Sequence, residues 1–174
     1  MNVNKKQNNT KETNLYNNIL LLSRNKIFYT KFELTDTFLN RIHLIFIHIS
    51  FLFIRIKKDK KERLYKDLYQ ETFDIIFKKI EQNIREFGYG DTAVNKNMKK
   101  LVNNFYNILL YCENYNDEKA DSKMAFFSNY LDRKKKEKSL NKLTLIDYFD
   151  KYQTFCFDLN SDSVLRGELN FNYN

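Results

Sequence analysis

The chain has no proline and no tryptophan, and only three glycines and two cysteines in 174 residues. Without proline there is no Pro-rich linker and no polyproline ligand segment. Three glycines leave no phosphate-binding glycine loop, and neither a Gly-x-Ser-x-Gly elbow nor a His-Glu-x-x-His pair occurs. Cys112 and Cys156 lie far apart with no Cys-x-x-Cys. They signal neither a disulfide framework nor a zinc site, and both read as buried thiols. The two histidines, His43 and His48, are five residues apart, which on a helix separates them by about 140° and prevents them from sharing a metal. Each reads as a polar group within helix packing, with His48 either hydrogen-bonded in the core or meeting a partner. Carboxylates such as Asp147, Asp150 and Asp158 are scattered and define no acid–base pair by spacing. No catalytic, cofactor-binding or metal-binding residue is assigned, no cofactor is expected, and the protein is not expected to be an enzyme.

What the chain does have is a hydrophobic fraction of 43% and an aromatic fraction of 16%, well above the composition of disorder. A chain of this length buries roughly 70% of its unfolded surface as one domain. The net charge is +8, and strongly basic proteins often meet nucleic acid or anionic membranes. Lys, Asn, Ile, Phe and Tyr abound, however, and all five are encoded by A/T-rich codons, so part of the charge reflects composition rather than binding. Three basic clusters stand out: Lys57, Lys58, Lys60, Lys61 and Arg63; Lys96, Lys99 and Lys100; and Arg133, Lys134, Lys135, Lys136 and Lys138. They can neutralise phosphates, but acids interrupt them and no recognised nucleic-acid module contains them. Residues 1–13 are expected to form a flexible tail and residues 14–174 one helical domain. The tail has no apolar core and no arginine, unlike a secretory signal or transit peptide.

Residues 42–54, IHLIFIHISFLFI, hold ten apolar residues in thirteen between Arg41 and Arg55. A bilayer span needs about 20 apolar residues, so the central helix of a bundle is the favoured reading, with a strand pair and a membrane helix as rivals. Helical periodicity is clear further on. Leu68, Tyr69, Phe73, Ile76, Phe77, Ile80, Ile84 and Phe87 recur at three- and four-residue steps, as do Val94, Met98, Leu101, Val102, Phe105, Ile108, Leu109 and Cys112. Asp74–Lys78 and Glu81–Arg85 are spaced as helix-surface ion pairs, each contributing about 0.3–0.5 kcal/mol. Between the two stripes lies Gly88-Tyr89-Gly90-Asp91. Gly88 suits a left-handed helix end, and Asp91 or Thr92 suits the cap of the next helix. A first helix is expected from about Leu15 to Lys26, with Thr35 or Asp36 capping the apolar helix. Later helices are expected near residues 118–132 and 144–157, the second with Thr144 and Asp147 as a capping box, and Gly167 as a cap near the end. The fold class is therefore all-α, a single-domain irregular bundle of six or seven helices.

One stretch is specific enough to name. Residues 68–115 carry Arg85, Glu86, Gly88, Gly90 and Asp91, then Lys99-Lys100 and Phe105-Tyr106, and this string resembles the core of the ubiquinol-cytochrome c chaperone family. Upstream, Phe28-Tyr29, Asp36-Thr37, Arg41, His48 and Arg55 are similar to the family's early segment, and Leu165, Gly167 and Phe171 to its closing one. The likeness covers roughly residues 15–171. It departs at Phe87 and Tyr89, where smaller aliphatic residues or Met are usual, and at Asn107-Ile108, where Gly-Arg is frequent.

The resemblance implies a non-enzymatic assembly factor of respiratory complex III that binds newly made cytochrome b at the membrane periphery, with a small partner protein and the ribosome as further partners and no small-molecule substrate. Gly88 and Gly90 are expected to set the structural turn between two helices. Client or partner binding is expected at Arg85, Glu86, Asp91, Lys99, Lys100, Tyr106, His48 and Arg55. A ribosome- or RNA-binding helical module is the alternative. The expected location is the cytoplasm beside the inner membrane of a bacterium, or the mitochondrial matrix for a processed organelle protein.

Overall fold

The computed structural model describes residues 11–57, 62–134 and 140–173. The helices are α1 (Lys11–Ser23), α2 (Ile27–Thr30), α3 (Phe38–Lys57), α4 (Glu62–Glu86), α5 (Asp91–Glu113), α6 (Ala120–Tyr130), α7 (Leu140–Asp158) and α8 (Ser161–Leu165). Six of them run eleven residues or more, and α2 and α8 are single turns. No strand occurs among the described residues; the one sheet-like feature there is an isolated bridge between Leu34 and Arg133. The all-α expectation holds, and the strand-pair reading of residues 42–54 does not.

The axis of the fold is α3. It is long and apolar enough to cross a membrane by composition, yet fifteen of its twenty residues are buried inside the protein. Helices α1, α4, α5, α7 and α8 pack around it. An apolar surface on every side is what a central helix requires, since each face meets another helix rather than water. Phe46 shows the packing on one side, with its ring 5.5 Å from Phe77 of α4 and 5.3 Å from Phe105 of α5. On the opposite side His48, Phe51 and Phe28 meet Tyr148, Phe149 and Tyr152 of α7.

The two histidines of this core find their partners inside the protein. His48 is fully buried; its Nδ1 lies 2.6 Å from the Leu44 carbonyl and its Nε2 2.9 Å from the Tyr148 hydroxyl. A carbonyl only accepts, so Nδ1–H donates to Leu44 and the bare Nε2 accepts from Tyr148. Burial pushes the imidazole pKa down to about 4, which keeps it neutral. His43 repeats the arrangement: Nδ1 donates to the Tyr130 carbonyl at 2.6 Å, and Nε2 accepts from Asn104 at 3.2 Å.

A second internal clasp has no signature in the sequence. Asn40, 1% exposed, donates through Nδ2 to the carbonyls of Thr35 and Asp132 and accepts the Asp132 amide on Oδ1. It thereby holds residues 33–35 against residues 132–134, where Thr35 N–H reaches the Asp132 carbonyl and Lys134 N–H the Glu33 carbonyl.

Several helix ends differ from expectation for local reasons. The first helix starts at Lys11 rather than Leu15 and stops at Ser23. The cap of α3 is Thr37, whose hydroxyl accepts the Asn40 amide at 3.1 Å; neither Thr35 nor Asp36 serves, and Asp36 instead forms two hydrogen bonds with Arg41. Thr144 lies inside α7, which begins at Leu140, so no capping box forms there. Asp147 accepts from the Tyr173 hydroxyl and pairs with Lys151. Asp74 accepts from Gln70 in place of the expected Lys78. Gly167 is needed twice over. Its φ is +73°, and a Cβ there would lie 2.7 Å from the Lys11 carbonyl oxygen and 2.8 Å from the Leu15 nitrogen, so α1 lies directly on the C-terminal turn.

Candidate client-docking site at the α4–α5 elbow

Helix α5 buries one stripe against α3, and α4 buries one against α3 and α1. On α4 the buried members are Leu68, Ile76, Phe77, Ile80 and Ile84, and on α5 they are Val94, Leu101, Phe105, Ile108 and Cys112. Two stripes that face the same central helix require a sharp return between them, and it occupies residues 87–90. Gly88 has φ +83°, a Cβ at that position would meet nothing within 4 Å, and the Gly88 N–H reaches the Arg85 carbonyl at 2.9 Å. Glycine is thus required there by the left-handed backbone and not by crowding.

The role expected for Gly90 is corrected. Its φ is −69° and open space surrounds it, so neither backbone conformation nor contact calls for glycine. It occupies the cap position of α5, which has no side-chain cap. Asp91 is therefore the first residue of α5 rather than its cap, and the same holds against Thr92, the second. An acid in the first turn still meets the positive end of the helix dipole.

The carboxylate of Asp91 has a different partner. Arg85 Nη1 lies 2.6 Å from Asp91 Oδ1, and Arg85 also reaches Glu81 at 2.8 Å. One guanidinium therefore spans the elbow, joining the last turn of α4 to the first turn of α5. These hydrogen bonds, Asp91 first and Glu81 second, raise the arginine's already high pKa. The group is exposed, so it latches the corner in water. Glu86, next to it, is exposed.

Beside the latch the surface turns apolar. A groove of about 360 Å³ opens between the start of α3, the end of α4 and the first half of α5. Phe38, Ile42 and Ile84 line it, with Phe87 and Tyr89 from the elbow itself and Lys100 from α5. Phe87 belongs to the α4 stripe by spacing but is 64% exposed, and Tyr89 is 54% exposed. Phe87 lies opposite the first residue of α3, with its ring meeting that of Phe38 edge-on at 5.3 Å. Lys99 is exposed next to Lys100. Tyr106 stands nearly two turns further along α5, 49% exposed, against Phe73 and Phe105.

Two of the residues expected to bind a client lie elsewhere. His48 has no exposed surface, and both ring nitrogens are engaged inside the core, so it cannot touch a partner; this expectation is corrected. Arg55, partly buried, donates to the Leu159 carbonyl at 3.1 Å and ties the end of α3 to the end of α7. The basic clusters are also partly used. Lys57 pairs with Glu113, Arg133 donates to the Phe32 carbonyl and Lys134 to the Tyr29 carbonyl. Lys58, Lys60, Lys61, Lys135, Lys136 and Lys138, and the Arg63 side chain, lie outside the described residues. Cys112 and Cys156 are buried free thiols, both with pKa raised by burial. Among the described residues no cluster of His, Cys, Asp or Glu has the form of a metal site.

The described residues thus form an all-helical bundle with an open apolar groove beside a latched glycine corner. The family model described as ubiquinol-cytochrome C chaperone matches residues 30–171, and the chain belongs to that family. Among solved structures it is similar to the crystal structure of the Cbp3 homolog from Brucella abortus, with 26% identity and a TM-score of 0.80 over 94% of this chain and 89% of that one. No curated protein matches the chain. Family membership makes this protein a chaperone, and a chaperone has a client protein.

Proposed function

We propose that this protein is an assembly chaperone for respiratory complex III which holds newly made cytochrome b at the membrane periphery until assembly proceeds. It acts without catalysis, by covering part of the client. The observation that carries the reading is the family match over residues 30–171, which spans the α4–α5 elbow and the central helix α3 on which both helices pack. The elbow supports the reading chemically: an exposed apolar groove beside free lysines suits a polypeptide with apolar helices and polar ends. In this proposal Arg85, Glu86, Asp91, Lys99, Lys100 and Tyr106 lie on the docking face, while His48 and Arg55 hold the scaffold behind it. The site of action is the cytoplasmic side of a bacterial inner membrane, or the matrix side if the chain is a processed organelle protein.

Deletion of the gene, followed by a reduced-minus-oxidised spectrum of membranes, tests the proposal. Loss of the b-type haem signal together with loss of complex III is the expected result. Normal complex III in the deletion strain overturns it.

A further inference from the structure

We propose that the groove beside the elbow takes one apolar helical face of the client, and that this client segment carries a carboxylate within about one turn of its apolar anchors, seated against Lys100. The inference rests on the chaperone reading for the identity of the client, but not for the binding itself.

Three observations lead to it. The six large hydrophobic side chains that are exposed among the described residues are Leu21, Leu39, Phe87, Tyr89, Tyr106 and Leu110, and three of them, Leu39, Phe87 and Tyr89, meet at this groove. Isolated apolar residues on a surface are ordinary, whereas a cluster around a concavity marks a binding site. The size of the groove, about 360 Å³, is at the lower end of ligand-sized pockets, about 300–1,000 Å³. It suits a few anchoring side chains of one helix rather than a whole protein face.

The charge pattern selects the partner. Among the described residues Lys100 is the one charged residue lining the groove, and no ion pair engages Lys96, Lys99 or Lys100 there. Those three lysines, at i, i+3 and i+4, share one side of α5. The nearby Asp91 is already held by Arg85. A second copy of this chain would bring Lys100 against Lys100 and one concavity against another, so neither charge nor shape would be matched. A client carboxylate matches the charge, and a convex helix fills the groove.

Asn104, which also lines the groove, adds a polar anchor. Its Nδ2 is committed to His43 Nε2, which leaves its side-chain oxygen as an acceptor for a donor on the incoming helix. Buried His43 thus fixes which end of that amide is available at the surface.

The test uses the full chain and two labelled helical peptides with leucines at i, i+3, i+4 and i+7, one with Glu and one with Lys a turn beyond the last leucine. Fluorescence anisotropy is expected to show the Glu peptide binding at least about tenfold more tightly, an advantage that fades as salt rises. Phe87→Ser should weaken both peptides, and Lys100→Glu should invert their order. Both side chains are exposed, so each variant should keep the parent unfolding midpoint, which separates lost binding from lost fold. Equal binding of the two peptides, or binding untouched by Phe87→Ser, overturns the proposal. A concentration-dependent dimer that Phe87→Ser dissolves would also overturn it and give the groove to a second copy. The haem spectrum of the deletion strain is read independently. Normal complex III with peptide binding intact would remove the assembly role and leave the groove, whereas lost complex III with no peptide binding would do the reverse.

Discussion

The seam around His48 and the elbow around Arg85 are built from similar materials for opposite ends. In the seam His48 and Tyr148 bond each other and Tyr152 donates to the His48 carbonyl at 3.3 Å, all in fully buried surroundings. At the elbow Arg85 bonds two acids, and each partner stays exposed. Hydrogen bonds in the seam are costly to break because nothing replaces them, whereas water can substitute at the elbow. One region fixes the fold, and the other leaves its charged groups in contact with water. The proposed docking role needs both, an open face and a rigid frame behind it.

This contrast can be broken at several points. The largest effect is expected from Phe149→Ala: the Phe149 ring lies within 5.2 Å of those of Tyr148, His48 and Phe127 and has no exposed surface. It should cost about 3–5 kcal/mol in urea unfolding, while Phe87→Ala at the elbow should stay within about 0.5 kcal/mol. Equal losses would mean that the elbow belongs to the core.

Acid should attack the seam next. His48 has its ordinary value of 6.5 when unfolded and about 4 when folded, so the unfolded chain binds the proton first as pH falls. Stability that is present above pH 6.5 is therefore lost between pH 6.5 and 4, by up to about 3 kcal/mol. His43, also lowered by burial, adds to the same slope. His48→Gln should flatten the stability–pH curve in that window, and an unchanged curve would refute the assignment.

The two left-handed glycines offer a smaller contrast. Gly167→Ala meets both strain and the α1 backbone and should cost about 2–3 kcal/mol. Gly88→Ala meets strain alone, about 1 kcal/mol, and Gly90→Ala should fall within about 0.5 kcal/mol. Thermal unfolding of the three variants ranks them. The smallest change is expected from Arg85→Gln, which opens an exposed latch: the unfolding midpoint should hold, while amide exchange at residues 88–90 should quicken. A large drop in midpoint would make the latch a structural necessity.

Much of the fold was legible in the sequence because helical periodicity is a local property. The stripes of α4 and α5 and the glycine return at Gly88 could be read directly, as could the buried central helix. Helix caps were less legible. Thr35, Asp36 and Thr37 all have capping side chains, and only the direction of the chain entering α3 selects Thr37. The Asn40 clasp was illegible because its partner segment lies about ninety residues away in sequence.

The site divides in the same way. Arg85, Asp91 and Gly88 share one corner because they are neighbours in sequence, and a motif string could find them. His48 is one of the family-like residues yet serves the core, since nothing in a string records burial. The place and lining of the groove were not legible. Its walls come from three helices, and Phe87 reads as one more member of a buried stripe until the structure shows it exposed opposite the first residue of α3.

By itself, then, the order of residues determined that the chain is helical, which faces are apolar, where the chain reverses and which family string it carries, because each depends on neighbours a few residues apart. Only the packing of α3, α4 and α5 against one another decided which apolar residues stay in water and which charges stay free. Exposure is set by where one helix ends relative to another, and that relation is written in no local stretch of sequence.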